Sequence, residues 1–462
     1  MTRLGLEPGL ERRQALAKPL LLGARFGGHG LNRVELLPSH QIHAVEDVLE
    51  LVAEPSLDLL AHPCQRAQGA GGHAREILEN AIVILHGSLS IVAFCTRDNA
   101  DHVPPPAQDG REQIWHCDRA ARPYNSAEFS FGHAMIVITG GAGFIGSNLA
   151  AALEERGERD LVVCDRLGHG EKWRNLAKRE LAHVVPPDQL LEFLDAHARD
   201  INVVFHLGAI SSTTESDVDA VIAANFTLSL SLWDWCARHG GRLFYASSAA
   251  TYGAGEGGFD DNGSPQALAK LRPLNAYGWS KHLFDRRVAR LVERGGARPP
   301  QWIGCKFFNV YGPNEYHKGD MRSVVTQFFP LAKAGKPAPL FRSYRPDVPD
   351  GGQKRDFVYI RDCVDILLWC YDHPDVNGLF NIGSGKARSY SELAAEVYRA
   401  AGREPLSEFV PMPPAILERY QYFTEARIDK LRSAGYTRPT TSLEDGIADF
   451  VKTHLAAADP YR

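Results

Sequence analysis

A glycine triplet set between an apolar run and an amphipathic stretch is the feature that most limits what this chain can fold into. Met135-Ile-Val-Ile-Thr139 is short and continuously apolar, as expected of a strand buried on both faces of a parallel sheet. It runs into Gly140-Gly-Ala-Gly143-Phe-Ile-Gly146, spaced Gly-x-x-Gly-x-x-Gly, and Phe144 to Arg156 then reads as a helix. Glycine lets such a turn double back tightly and brings backbone N–H groups up to an anion, which then sits on the positive end of the helix. Alone, a glycine-rich turn is an ordinary strand–helix connection. After a buried strand and at the start of a helix it predicts a pyrophosphate cradle built from Gly140, Gly143, Phe144, Ile145 and Gly146.

The same alternation continues downstream. Leu161 to Asp165, Val203 to His206, Arg242 to Ser247 and Gln301 to Phe307 read as further buried strands, with helical spacing over Asp217 to Arg238 and Tyr277 to Arg294. Strands alternating with helices predict an α/β fold, a doubly wound parallel sheet of Rossmann type. From about Asn309 the pattern is irregular and then helical, at Tyr390 to Ala401 and Ser442 to Leu455. We expect a dinucleotide-binding domain over 135–307. A smaller C-terminal α/β substrate domain, mainly 308–462, has some segments interleaved with the sheet.

Residues 1–134 differ in kind. They carry nine of the eighteen histidines, eleven arginines and a single lysine, Lys18. Runs such as Pro104-Pro-Pro106 break regular structure, and only short pieces such as Ala44 to Val52 have helical spacing. Such sequence is poor material for a core. The preferred reading is an upstream region translated from a start placed too early; the other is a regulatory or partner-binding extension.

Bulk properties exclude several classes. A net charge of -5 gives no electrostatic reason for a nucleic acid or anionic membrane partner. Eight scattered cysteines without a Cys-x-x-Cys pair suit a reducing cytoplasm and predict no metal site. The longest apolar stretch, Ala81 to Cys95, is interrupted and too short to span a bilayer.

The dinucleotide type is contested by neighbouring residues. Asp165 closes the second strand about twenty residues beyond the glycines, where an acid grips the adenine ribose hydroxyls of NAD. Arg166 and Lys172 instead suit the extra phosphate of NADP. The reading leans to NADP, with NAD open. Leu207, Gly208 and Ala209 end the third predicted strand, on the edge that faces the dinucleotide. Asn225 follows in the next helix, either as a cofactor contact or as an ordinary helix-surface residue.

Tyr277-Gly-Trp-Ser-Lys281 places a tyrosine and a lysine at i and i+4 on one helix face. A free phenol, with a pKa of about 10, is a poor base at neutral pH. A lysine ammonium one turn away favours the phenolate and lowers that value. Ser248, at the end of the preceding strand, can sit beside the phenol and hold a substrate oxygen. With the glycine cradle upstream, these residues point to oxidoreductase chemistry.

These segments resemble the extended short-chain dehydrogenase/reductase family, which includes sugar epimerases and dehydratases. Within it, residues from about Met135 to His454 are most similar to the ADP-glycero-manno-heptose 6-epimerases. The closest matches are Ser211-Ser-Thr-Thr-Glu215, His317-Lys-Gly319 and Arg419-Tyr-Gln421, whereas Phe308-Asn-Val-Tyr-Gly-Pro313 is general to the superfamily. The resemblance implies inversion of carbon 6 of an ADP-linked heptose, in lipopolysaccharide core precursor synthesis, by transient oxidation and re-reduction with a bound nicotinamide cofactor. It also implies a cytoplasmic homo-oligomer, a pentamer by that likeness.

The same likeness assigns Lys318 as a second proton-transfer residue beside Tyr277. It assigns Ser212, Asn309, Asp320, Arg355 and Tyr420 to the substrate, and Val310 to the cofactor. A lengthened loop at Arg345 to Gly352 departs from the family pattern. A dehydratase would need an acid next to Ser248, where Ala249, Ala250 and Thr251 stand. A UDP-hexose 4-epimerase and a dinucleotide-sensing scaffold without catalysis remain the alternatives.

Overall fold

Alternate residues of one apolar strand feed two separate cores. Met135–Thr139 (β1) sends Ile136 and Ile138 into one hydrophobic cluster and Val137 into another, all essentially inaccessible to solvent. Each fully buried Ile or Val of this kind contributes roughly 1.5–3 kcal/mol. Burial on both sides of one strand requires helices on both faces of the sheet.

The computed structural model describes residues 134–417 and 420–462, together with the backbone of four short upstream strands. Those strands pair antiparallel, Leu22–Gly27 with Gly30–Leu36 and Ala81–His86 with Leu89–Phe94. The backbone divides into two units, Met1–Ala121 and Arg122–Arg462. The helix expected at 44–52 and the remaining expectations for 1–134 lie outside the described residues. Among the described residues, no helix is long and apolar enough to cross a membrane.

The main sheet has seven strands: β1, Leu161–Cys164 (β2), His183–Val185 (β3), Ile201–His206 (β4), Arg242–Ser248 (β5), Trp302–Phe307 (β6) and Gly378–Ile382 (β7). Their order is β7-β6-β5-β4-β1-β2-β3, and every pairing is parallel. The direction of winding reverses between β1 and β4, which opens a crevice at their carboxyl ends. Phe144–Glu155 (α1) packs on one face. On the other lie Ala276–Glu293 (α3) and α2, built from Val218–Ile222, a π-helical turn Ala223–Thr227, and Leu228–His239.

The doubly wound sheet agrees with the sequence expectation; the region after Asn309 is more regular than expected. Asn309–Tyr311 pairs in parallel with Lys354–Tyr359, which pairs antiparallel with Ala387–Ser389. Ala338–Phe341 pairs with Ser407–Val410. Helices span Val324–Lys333 and Ile360–Asp372. Their signals were masked for physical reasons: Pro330 interrupts the first, and the second begins directly after a strand with no turn residue between. The seventh strand, β7, returns from this region to the main sheet and pairs with β6. The third, β3, has one buried residue in three and shows no alternation to detect.

Candidate active site

The crevice begins with the glycine turn. Gly140 has φ +66°, and a Cβ there would lie 2.6 Å from the Gly208 nitrogen, so two backbones meet where only hydrogen fits. A Cβ on Gly146 would lie 2.3 Å from the Gly140 carbonyl oxygen, and one on Gly143 would lie 2.9 Å from it. These approaches seat α1 directly on the turn. Gly143 is the N-cap of α1 and offers no side-chain cap, and the first turn holds no acid. The N–H groups of that turn are therefore left for an anion on the positive end of the helix. A dinucleotide pyrophosphate fits this cradle.

The Leu207–Ala209 segment is fixed against the cradle from β1. Thr139 Oγ1 accepts from the Gly208 N–H at 3.1 Å and pairs with His206 Nδ1 at 2.7 Å; His206 Nε2 meets Ser229 Oγ at 2.9 Å. Burial, with Lys281 nearby, lowers His206 to about 3, so it is neutral at ordinary pH. Asn225 is not on a helix surface. It is fully buried in the π-helical turn, its amide bonded both ways to the Ile210 backbone at 2.9 Å and to Ser280 Oγ at 3.0 Å. It thus ties the strand-end loop to α3.

Both oxygens of Asp165 are engaged. Oδ2 accepts from the Ala142 N–H at 3.0 Å; Oδ1 accepts from the Arg166 N–H at 2.7 Å and from Lys172 Nζ at 2.6 Å. The Arg166 side chain is exposed and Lys172 half-buried. Ile145 packs against the core below the cradle.

Tyr277, Ser248 and Lys281 come together because Gly278 has no side chain: a Cβ there would lie 2.7 Å from the Ala250 carbonyl oxygen. The first turn of α3, capped by Asn275, thereby rides on the segment that follows Ser248. Burial raises the Tyr277 phenol, and the Ser248 hydroxyl pulls it back down. Lys281 is buried and lowered to about 8 by desolvation, against the opposing pull of Asp285. Nothing in the sequence pattern had marked Lys306, which pairs with Asp285 behind this trio. A lysine inside the buried strand β6 is itself a signal, because such residues are almost never buried unpaired.

Lys318 arrives from a separate element, the turn Tyr316–Met321. Its Nζ lies 5.6 Å over the ring of Phe144, the first residue of α1, which places it at the glycine cradle. Desolvation lowers its pKa and Glu315 opposes the shift. Burial and the Lys172 and Lys318 charges lower its neighbour His317 to about 4, and His317 Nδ1 meets Asn175 Nδ2 at 3.2 Å.

Arg355 is 6% exposed and has no carboxylate partner among the described residues. Its guanidinium lies 5.1 Å over the Tyr420 ring and 5.8 Å over Tyr390. Asn309 is exposed beside half-buried Val310 on the strand next to Lys354–Tyr359. Ser212 bonds to Thr214 Oγ1, and the exposed Asp320 offers its carbonyl to Gln327 Nε2; neither is joined to the groups above. The lengthened loop closes on itself through Arg345–Asp347 and is tied to Tyr422, whose OH accepts from the Tyr344 N–H at 3.0 Å.

Comparison with known proteins bears on this site. Residues 136–383 match the NAD dependent epimerase/dehydratase family. A protein of Nitratidesulfovibrio vulgaris named ADP-L-glycero-D-manno-heptose-6-epimerase is 46% identical over 330 residues, 71% of this chain and 100% of that protein. The crystal structure of the Helicobacter pylori ADP-L-glycero-D-manno-heptose-6-epimerase superposes with a TM-score of 0.56 at 29% identity, over 70% of this chain and 96% of that one. The Thermus thermophilus UDP-glucose 4-epimerase in complex with NAD gives a TM-score of 0.56 at 26% identity, over 70% of this chain and 99% of that one.

Proposed function

The chain belongs to the NAD dependent epimerase/dehydratase family, and on that premise we propose that it inverts carbon 6 of the heptose in an ADP-linked sugar. One observation carries the reading. Tyr277 beside Ser248 and Lys318 over Phe144, the two groups to which the reading gives proton transfer, are mounted on different elements. Inversion through a carbonyl needs a proton acceptor for either epimer, and two separately mounted groups supply one each.

A nicotinamide dinucleotide held by the cradle supplies reversible hydride acceptance at that carbon. Tyr277 takes the proton of the sugar hydroxyl in one epimer, with Ser248 holding the same oxygen. Lys281 favours the phenolate by its charge. Lys318, its pKa lowered by burial, does the corresponding work for the other epimer. Arg355 is proposed to hold the diphosphate: its planar fork matches phosphate oxygens, and a buried guanidinium with no carboxylate partner among the described residues favours an anionic ligand. Tyr420, Ser212, Asn309 and Asp320 complete the proposed substrate contacts.

The preferred dinucleotide is proposed to be NADP. Asp165 has both oxygens occupied, Oδ2 by the Ala142 N–H of the glycine turn and Oδ1 by the Arg166 N–H and Lys172, and the Arg166 side chain stands beside it. We further propose a cytoplasmic homo-oligomer, a dinucleotide-binding domain over 135–307 and a mainly substrate-binding domain over 308–462. Turnover of ADP-heptose and UDP-hexoses by wild type, Tyr277→Phe and Lys318→Met tests the function. Loss in both variants on ADP-heptose is expected. A wild type active on UDP-hexose alone, indifferent to Lys318→Met, would establish the 4-epimerase instead. The dinucleotide released on denaturation, identified by mass, decides between NADP and NAD.

A further inference from the structure

The segment Asp459–Arg462 touches two stretches at once, the turn that carries Lys318 and the turn Glu171–Leu176 with its following Lys178. Toward the first, the Arg462 N–H donates to Asn314 Oδ1 at 3.0 Å and the Tyr316 hydroxyl donates to the Pro460 carbonyl at 2.9 Å. The rings of Tyr316 and Tyr461 meet edge to face, centroids 5.1 Å apart. Toward the second, Lys178 Nζ donates to the Tyr461 carbonyl and pairs with Asp459 at 2.9 Å, while the Arg174 guanidinium lies 5.5 Å over the Tyr461 ring. The Arg462 guanidinium reaches α1, meeting Glu155 Oε2 at 2.9 Å.

Asn314 is where these contacts matter. Among the described residues it is the one non-glycine with positive φ, 72°, and it is fully buried. A non-glycine residue persists in that region only when its surroundings over-determine it. Three groups do so here. Its Nδ2 donates to Ser147 Oγ on α1 at 3.0 Å, its carbonyl accepts from Asn175 Nδ2 at 3.0 Å, and its Oδ1 is held by Arg462. Asn175 Nδ2 also donates to the Ala142 carbonyl of the glycine turn at 2.9 Å. The five residues from Asn314 to Lys318 are thus registered against the cradle through one strained anchor, which the Arg462 backbone N–H closes while the Arg462 guanidinium, on Glu155, holds that N–H in place.

We infer that Tyr461 and Arg462 are positioning residues for Lys318, holding its turn in register with the glycine cradle. The inference rests on the reading of Lys318 as the second proton-transfer group. In either epimer the hydroxyl proton would go to Tyr277 or to Lys318 according to the epimer, a nicotinamide held by the cradle supplying the hydride acceptor. Loosening the Lys318 turn alone therefore slows one epimer and spares the other.

The test uses the full chain with Tyr461→Ala, Arg462→Ala and Arg462→Lys; the last two keep the backbone N–H on Asn314 and remove or replace the guanidinium that fixes it to α1. Single-turnover oxidation of each separate epimer is followed by the near-ultraviolet absorbance of the bound nicotinamide. Amide exchange is measured over 314–321 and over 140–146. For the alanine variants the expected result is a loss of about 100-fold for one epimer, as a misplaced group costs. KM should be little changed, exchange faster over 314–321 only, and Arg462→Lys partly restored. Equal loss for both epimers, or unchanged exchange over 314–321, overturns the inference. A wild type that turns over no ADP-heptose overturns the function proposed above, and the exchange result still decides the positioning role.

Discussion

Asp285 lies one helical turn beyond Lys281, yet its carboxylate belongs to Lys306, whose Nζ sits 2.7 Å from Oδ2 with both side chains wholly buried. The same Nζ donates to Thr251 Oγ1 at 2.7 Å, and that hydroxyl donates to the Ser248 carbonyl at 2.8 Å. Ser247 Oγ and Tyr245 OH also donate to Asp285, at 2.7 and 3.2 Å. One buried pair therefore underlies both the serine and the lysine of the proposed site.

Breaking that pair is expected to be costly. Lys306→Met strands a buried carboxylate and should destabilise the fold by about 3–5 kcal/mol, whereas Lys306→Met with Asp285→Asn should recover most of the loss. Urea denaturation of the two variants measures this. A double variant no more stable than the single would show that the pair is not coupled.

Lys281 gives opposite pH trends for stability and activity. Its native pKa, about 8, lies below the ordinary 10.5, so between those values the unfolded chain holds a proton that the native state has released. Stability is thus lowered by about 3 kcal/mol below pH 8 and regained as pH climbs toward 10.5. The phenolate at Tyr277 needs the charged lysine, so kcat/KM should turn down near pH 8. In Lys281→Arg that alkaline limb should move upward. A limb left in place by the substitution would assign it to another group.

Gly146→Ala should abolish dinucleotide retention. The added methyl would lie 2.3 Å from the Gly140 carbonyl oxygen, and because that oxygen is backbone the turn itself must move away from α1. Dinucleotide released per subunit on denaturation is the measurement. Full occupancy in the variant would contradict the cradle.

Arg355→Gln is expected to raise KM for the sugar nucleotide by roughly 10- to 100-fold, the worth of charge-assisted hydrogen bonds, with a smaller change in kcat. The guanidinium packs over two tyrosine rings and donates to the Lys354 carbonyl, with no bond to Tyr277 or Lys318 among the described residues, so its effect should fall on binding. Steady-state kinetics on ADP-heptose decide it; an unchanged KM would remove Arg355 from the diphosphate site.

Much of this was legible along the chain. The strand–glycine–helix signal at 135–156 and the Tyr277/Lys281 spacing depend on short stretches whose periodicity sets backbone geometry directly. β7 was not legible, because its pairing with β6 reaches across intervening helices and a second small sheet. The charged start of Lys354–Tyr359 hid a strand whose later residues are buried.

The sequence by itself determined the strand–helix alternation of 135–307 apart from β3, the glycine cradle and the residue types that can move a proton, since each follows from chemistry within a few neighbours. Only the tertiary structure decided partners. It assigned Asp285 to Lys306 on strand β6 rather than to Lys281 on its own helix. It turned Asn225 inward to hold Ile210. It brought Arg462 across 148 residues of chain to the anchor of the Lys318 turn. Such choices depend on which groups packing leaves dry and facing one another, and no local pattern encodes that.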